Sequence, residues 1–186
     1  MKQALLVAVL GMTLSVPVIA YADGAYVGLN AGRTDQKVFA EGISGTAKDT
    51  TTGYKLYGGY DFNKNFGVEG GYMDSGDGKA VFSNGFFVSG KTTSLYVAAT
   101  STLPLSEQFS VFAKAGVATS RAKLHNSVGD YFDERTTSPV LGIGAAYAFN
   151  KNIALVIEYE NFGKSVKIEN DYVKTELLSV GLRYKF

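Results

Sequence analysis

Downstream of residue 24 the chain repeats one pattern eight times: apolar side chains at every second position, with small or polar residues between them. The segments run from Ala25 to Arg33, Thr52 to Phe62, Phe66 to Asp74, Thr92 to Leu103, Phe109 to Thr119, Pro139 to Phe149, Ile153 to Phe162 and Glu176 to Phe186. In the last of them Leu178, Val180, Leu182, Tyr184 and Phe186 share one face, and Ser179, Gly181, Arg183 and Lys185 share the other. A period of two is that of a β-strand with unlike faces, and helical spacing is weak throughout this region. The connections alternate in length. Residues 63–65, 104–108 and 150–152 are short turns, whereas 34–51, 75–91, 120–138 and 163–175 read as long polar loops. Asn63-Lys64-Asn65 and Asn150-Lys151-Asn152, each flanked by aromatic or apolar residues, are one hairpin used twice at the same rim.

Eight amphipathic strands close either as a soluble carrier with apolar residues inside or as a membrane barrel with them outside. The second face discriminates. It holds Gly28, Gly32, Gly59, Gly71, Ala98, Gly116, Gly142, Gly144 and Gly181 with scattered charges, where a water-facing exterior would be rich in long polar groups. An eight-stranded barrel encloses a space only just wide enough for side chains, so small residues belong inside. Phe62, Phe66, Phe109, Phe149, Tyr184 and Phe186 gather beside the short turns, as in an interfacial girdle. The expected fold class is therefore all-β, an eight-stranded antiparallel transmembrane β-barrel.

Composition narrows the chemistry. The 186 residues carry 18 Lys plus Arg against 17 Asp plus Glu, so no field draws nucleic acid. The absence of cysteine removes disulfides, thiolate metal sites and thiol nucleophiles. Lys2, the apolar run from Ala4 to Leu10 and the closing Ala20-Tyr21-Ala22 match a secretory signal, giving residues 1–22 as signal peptide and 23–186 as barrel. After cleavage 17 charges of each sign remain.

The run Gly53-Tyr54-Lys55-Leu56-Tyr57-Gly58-Gly59-Tyr60-Asp61-Phe62-Asn63-Lys64-Asn65-Phe66-Gly67-Val68-Glu69-Gly70-Gly71-Tyr72 resembles the second hairpin of the OmpA-type outer-membrane barrel family. Leu103-Pro104-Leu105 leading into Phe112-Ala113-Lys114-Ala115-Gly116, and Ile157-Glu158-Tyr159, carry the same resemblance. The terminal Leu182-Arg183-Tyr184-Lys185-Phe186 resembles the C-terminal signal read by the outer-membrane assembly machinery, with Leu182, Tyr184 and Phe186 as its apolar positions. The resemblance implies a bacterial outer-membrane location with both termini and the short turns in the periplasm. It also implies a lumen cluster in which Glu69, Lys114 and Glu158 match charged members, while Thr100, Ala146 and Val156 stand where other charged members would be. The family's periplasmic peptidoglycan-binding domain has no counterpart up to Phe186, so that tether is not expected.

Face parity points Lys55, Glu69, Lys114, Glu158 and Arg183 inward. Of these, Glu69, Lys114, Glu158 and Arg183 lie at similar depth near the short-turn rim and are expected to neutralise one another as an ion-pair network. His125, with Ser127, Asp130 and Glu134 in the third long loop, is where a catalytic reading would have to rest, but the spacing matches no nucleophile motif and lacks a metal-ligand set. No enzyme, cofactor or metal site is expected. Phe82, Phe86 and Phe87 in the second loop and Tyr131 and Phe132 in the third either extend the hairpins or form an outer contact surface. The expected function is a structural and surface-interaction role in the envelope, with a narrow channel for ions or small solutes as the alternative and a lipid-modifying enzyme third. Expected partners are outer-membrane lipid and lipopolysaccharide, the assembly machinery and an external surface ligand, for a monomer that does not bind nucleic acid.

Overall fold

A computed structural model describes residues 24–39, 47–81, 87–126, 131–168 and 171–186. The signal segment, Phe82, Phe86, Ser127 and Asp130 lie outside these residues. The chain forms β1 (Ala25–Phe39), β2 (Ala47–Asp61), β3 (Phe66–Val81), β4 (Phe87–Pro104), β5 (Phe109–Asn126), β6 (Tyr131–Ala148), β7 (Ile153–Ile168) and β8 (Asp171–Lys185). Each strand pairs antiparallel with its neighbours in sequence, and β1 pairs with β8 to close the barrel.

The three short turns share a geometry written in their side chains. Asn63 Oδ1 accepts from the backbone N–H of Asn65 and of Phe66, both at 2.9 Å. Asn150 Oδ1 does the same for Asn152 at 2.9 Å and Ile153 at 2.8 Å. In the turn between β4 and β5, Ser106 Oγ takes this place, accepting from Gln108 and Phe109. A side-chain oxygen that satisfies two backbone donors lets so short a segment reverse the chain. The second asparagine ties each repeat to the next strand, Asn65 Nδ2 donating to the Thr102 carbonyl at 3.0 Å and Asn152 Nδ2 to that of Lys185 at 2.8 Å.

The other rim differs from expectation. Most of residues 34–51, 75–91, 120–138 and 163–175 are strand rather than loop, with backbone pairing continuing to Val38↔Ala47, Val81↔Phe87, His125↔Tyr131 and Ile168↔Asp171. Beyond the membrane water wets both faces of a hairpin, so the alternation that marks an embedded strand disappears although the hydrogen-bond ladder does not. Two irregularities interrupt the extensions. Near Asp74 and near Asn161 the register shifts, and Gly76 and Gly163 adopt φ of 76° and 68°. In each, the side chain two residues earlier accepts the glycine N–H: Asp74 Oδ1 at 3.0 Å and Asn161 Oδ1 at 2.8 Å.

The apolar face points out. Leu95 is 64% exposed, and Leu29, Leu56, Val117, Leu141, Ile143, Leu178, Val180 and Leu182 join it in a belt around the barrel. Tyr60, Phe62, Phe66, Phe109, Tyr147, Phe149, Tyr184 and Phe186 ring the short-turn edge, and Tyr54, Tyr72 and Tyr159 lie on the opposite edge. Aromatic rings at both edges of an apolar band are the arrangement expected where hydrocarbon gives way to headgroups. No helix among the described residues is long and apolar enough to cross a membrane.

The interior is packed by pairing rings with glycines. Register sets Tyr57 between Gly28 and Gly71, and a Cβ added at Gly28 would lie 2.2 Å from the Tyr57 ring. Phe112 covers Gly144 in the same way, at 2.4 Å from an added Cβ. A ring folded over the strand opposite needs that strand to lack a side chain.

The two faces of β8 give a direct test. Val180 is exposed on the belt, whereas Ser179 is buried and accepts from Asn30 Nδ2 at 3.2 Å. Val180→Arg should destabilise the protein in lipid vesicles by about 2 to 4 kcal/mol, measured by denaturant titration. Ser179→Arg should instead crowd the lumen, impairing folding in detergent and lipid alike.

Candidate functional site

The lumen is built from side chains that only small neighbours allow to cross it. Glu69 on β3 is flanked in register by Gly59 and Ala98, and Lys114 on β5 by Thr100 and Gly142. Glu158 on β7 is flanked by Gly144 and Ser179. Arg183 on β8 has Gly28 on one side and Ala154 on the other. Gly142 stands between two of the charges: an added Cβ would meet Lys114 Cγ at 2.9 Å and Glu160 Cγ at 3.1 Å, so a side chain on that strand would crowd both.

Lys114 is the hub. Its ammonium donates to Glu69 Oε1 at 2.5 Å, contacts Glu160 Oε1 at 3.0 Å and pairs with Glu158. Lys55 on β2 reaches across the lumen to β7, donating to Glu160 Oε2 at 2.7 Å and pairing with Glu158. Glu69 also accepts from Tyr96 at 2.7 Å and Tyr26 at 3.1 Å, and its Oε2 lies 3.6 Å from an Arg183 nitrogen. The side chains of Lys55, Lys114, Glu69, Glu158 and Glu160 have no solvent exposure. Rings supply what the carboxylates leave open. Lys55 Nζ sits 4.6 Å from the Tyr57 centroid, and Arg183 lies 4.5 Å from Tyr26 and 5.1 Å from Phe112.

The structure thus brings together all four residues expected in the network and adds two. Parity alone puts Lys55 on the lumen face, apart in depth from the other four. It lies six positions from the end of β2, and its partner Glu160 lies seven from the start of β7, so the two share a level. Glu160 was missed, although its position two residues after Glu158 on the same face carried the signal. With both included the charges balance as Lys55, Lys114 and Arg183 against Glu69, Glu158 and Glu160. Ligand-capable oxygens of the three glutamates lie within 4.8 Å of one another, and the lysines sit among them as counter-charges.

Apolar side chains close both sides of the charged layer. Toward the long hairpins lie Met73, Val140, Phe162 and Leu177, all fully buried, with Phe162 edge-on to Tyr96 at 5.9 Å. Toward the short turns lie Phe112, Ala146 and Val156, the last two at positions where charge was absent from the expected cluster. Thr34, opposite Leu177, and Ser94, opposite Met73, are buried neutral polar neighbours of the layer toward the long hairpins.

The remaining expected residues are scattered. His125 stands on β5 opposite Tyr131, not in a loop, and Glu134 stands on β6 opposite Ala122. Phe87, Tyr131 and Phe132 are the first residues of β4 and β6, so they extend hairpins at the level of the backbone. Leu182, Tyr184 and Phe186 share the outer face at the β8–β1 seam, where the Phe186 N–H donates to the Ala25 carbonyl at 3.0 Å.

Buried charges held by partners are costly to leave alone. Lys114→Ala, which takes one partner from each of three buried carboxylates, should cost about 3 to 5 kcal/mol in unfolding experiments. Double-mutant cycles pairing it with Glu69→Ala or Glu158→Ala should show coupling of roughly 0.5 to 3 kcal/mol. Additive losses in both cycles would make these charges independent hydrated groups.

Comparison with known proteins agrees with this geometry. A family model described as "Outer membrane protein beta-barrel domain" matches residues 4–186. Outer membrane protein A of Klebsiella aerogenes is 29% identical over 150 residues, covering 77% of this chain and 41% of its own length, so the chain spans about two fifths of that relative. Among solved structures, Neisserial surface protein A aligns with a TM-score of 0.65 at 23% identity over 88% of this chain and 97% of its own. Ail, the attachment invasion locus protein of Yersinia pestis, in complex with the heparin analogue sucrose octasulfate, aligns at 0.54 and 20% identity over 86% and 99%. Inverted faces, closed eight-strand topology and the match across the chain lead to one assignment: it belongs to the family of outer-membrane protein β-barrels of the bacterial outer membrane.

Proposed function

We propose that the protein is a closed, non-catalytic barrel that serves the envelope structurally and presents its long hairpins for contact with outside surfaces. The observation that carries this reading is the filled lumen, where the fully buried Lys55, Lys114, Glu69, Glu158 and Glu160 lie between two apolar clusters. An apolar constriction beside charges that satisfy one another gives an ion neither a wetted path nor a free counter-charge. The alternative of a narrow channel has the lumen charges in its favour, and the same charges are spent on each other.

In this reading both termini and the short turns face the periplasm, and the extended hairpins face out. The three tight turns suit the periplasmic rim of such barrels, and the long hairpins suit the exterior. Leu182, Tyr184 and Phe186 then serve as the apolar positions recognised by the assembly machinery, and outer-membrane lipid, lipopolysaccharide included, surrounds a monomer. Ail takes its name from attachment, which is compatible with the contact role assigned to the hairpins.

Two measurements test this. Reconstituted into planar bilayers, the protein should give no steady open-state conductance; current scaling with protein copy number would favour the channel. The chain has no cysteine, so Lys64→Cys and Thr50→Cys place single thiols at opposite rims. An impermeant maleimide should label Thr50→Cys on intact cells and Lys64→Cys only after the envelope is opened, and the reverse pattern would invert the orientation.

A further inference from the structure

At the long-hairpin end the register divides the barrel into two sheets. β3, β4, β5 and β6 stay paired with one another to their tips, and so do β7, β8, β1 and β2. Between the two sets the ladders stop early. Among the described residues Tyr54↔Asp74 is the last pair of β2 with β3, and Leu141↔Asn161 is the last of β6 with β7. Closure removes strand edges only as far as these pairs, and beyond them edges return.

Three of those edges are interrupted or short. β3 kinks at Gly76 and β7 at Gly163, and each glycine N–H is given to a side chain of its own strand, Asp74 or Asn161. Along β2, Thr51 Oγ1 reaches over to the Ser75 carbonyl, which leaves only residues 47–50 beyond it. β6 is different, because its register with β5 runs unbroken from Tyr131 to Tyr147. At its base the Phe149 N–H donates to the Ile153 carbonyl at 2.9 Å, toward β7, and the Ala148 N–H to the Gln108 carbonyl at 2.8 Å, toward β5. Alternation along a regular strand therefore turns the odd-numbered backbone groups toward β7 and the even-numbered ones toward β5. Pro139 falls on the β7 side, where it has no N–H to give, and its carbonyl lies 2.9 Å from the Cβ that Gly163 lacks. A proline on one strand and a left-handed glycine on the other thus end this ladder. Above them Tyr131, Asp133, Arg135 and Thr137 direct their N–H and C=O groups toward a strand that has turned away, and Arg135 and Thr137 are exposed.

We propose that this edge of β6, from Tyr131 to Thr137, is a docking site for an extended polypeptide segment of an external protein, which adds to the sheet as a further strand. Backbone donors and acceptors at alternate positions are complementary to another backbone, so the partner is recognised by its extended conformation first and by its side chains second. A second copy in the same membrane fits poorly. A two-fold axis along the membrane normal sets the tilts of facing strands against each other, so the two edges would cross instead of running side by side. The site deepens the contact role proposed for the hairpins, and its reach from outside the cell rests on the orientation given there. Pairing at the edge does not, since protein in detergent exposes both rims.

The test uses folded full-length protein in a nonionic detergent and, as probe, a synthetic peptide of alternating threonine and valine with lysines at its ends. Fluorescence anisotropy should report binding, and hydrogen exchange should show the amides of Arg135 and Thr137 becoming protected. Methylating the amide nitrogens along both edges of the peptide keeps its side chains and should weaken binding roughly tenfold or more, because several backbone hydrogen bonds are lost. Arg135→Pro removes an edge N–H without touching a bond to β5 and should weaken binding by a similar factor, whereas Arg135→Ala keeps that N–H and should bind within a few-fold of the unsubstituted protein. Should Arg135→Pro fail to fold, the plain and methylated peptides on the unsubstituted protein decide alone. Equal binding of the methylated peptide, undiminished binding to folded Arg135→Pro, or no binding of the plain peptide at millimolar concentration would overturn the inference. A concentration-dependent dimer that Arg135→Pro abolishes would assign the edge to a second copy and reject the external segment. The thiol-labelling test of orientation can fail without changing any of these outcomes.

Discussion

A backbone amide that enters hydrocarbon has no water to bond with, so each N–H and C=O crossing the membrane must find its partner within the protein. Joining β1 to β8 meets that requirement for a sheet by removing both edges. Much else follows from the closure. Eight strands fix a narrow lumen, and a narrow lumen fixes which residues can face it. Because outward positions meet lipid instead of water, the usual sidedness of a sheet is reversed, with Leu95 and Ile143 outside and Lys55 and Glu160 inside.

Within that bore the problem is one of volume, and glycine solves it. Tyr57, Tyr96 and Phe112 each lie across strands that lack side chains at the point of crossing, and Gly142 leaves Lys114 and Glu160 the space to meet. Lys55, Lys114, Glu69, Glu158 and Glu160 are fully buried and ion-paired, so a solvent path through them would require several contacts to break together. Such a layer contributes little net stability relative to well-packed apolar residues. What it gives is a single arrangement of long side chains that would otherwise have many ways to fill the bore, and apolar layers on either side keep water from competing for it.

Outside the bore, constraints relax by zone. Along the belt, side chains need only be apolar, and small ones such as Ala99, Ala113 and Ala115 line a groove in its surface. At the short-turn rim, paired rings such as Tyr184 and Phe186, 5.2 Å apart, mark the headgroup level, and asparagine oxygens close the turns. Above the opposite rim the hairpins stand in water, where Gly76 and Gly163 let the chain kink without losing its ladder.

Period-two alternation identified eight strands, and the smallness of the face opposite the apolar one identified which side meets lipid. Both are local properties of each segment, because the membrane imposes them residue by residue. Parity likewise sent Glu69, Lys114, Glu158 and Arg183 inward, and Asn63 and Asn150 announced their turns. The membership of the charge network was another matter. Lys55 joins Glu158 and Glu160 because closure brings β2 and β7 to opposite walls of one bore, at positions similarly distant from the short turns. No single strand carries that information. The hairpin extensions were hidden for a different reason: in water a paired backbone needs no alternation, so residues such as His125 on β5 read as loop until their partners across the strand were fixed. Sequence thus determined what each strand shows to lipid and to lumen, a choice made by solvent one side chain at a time. Tertiary structure decided which charges meet, because those contacts depend on register around a closed circle.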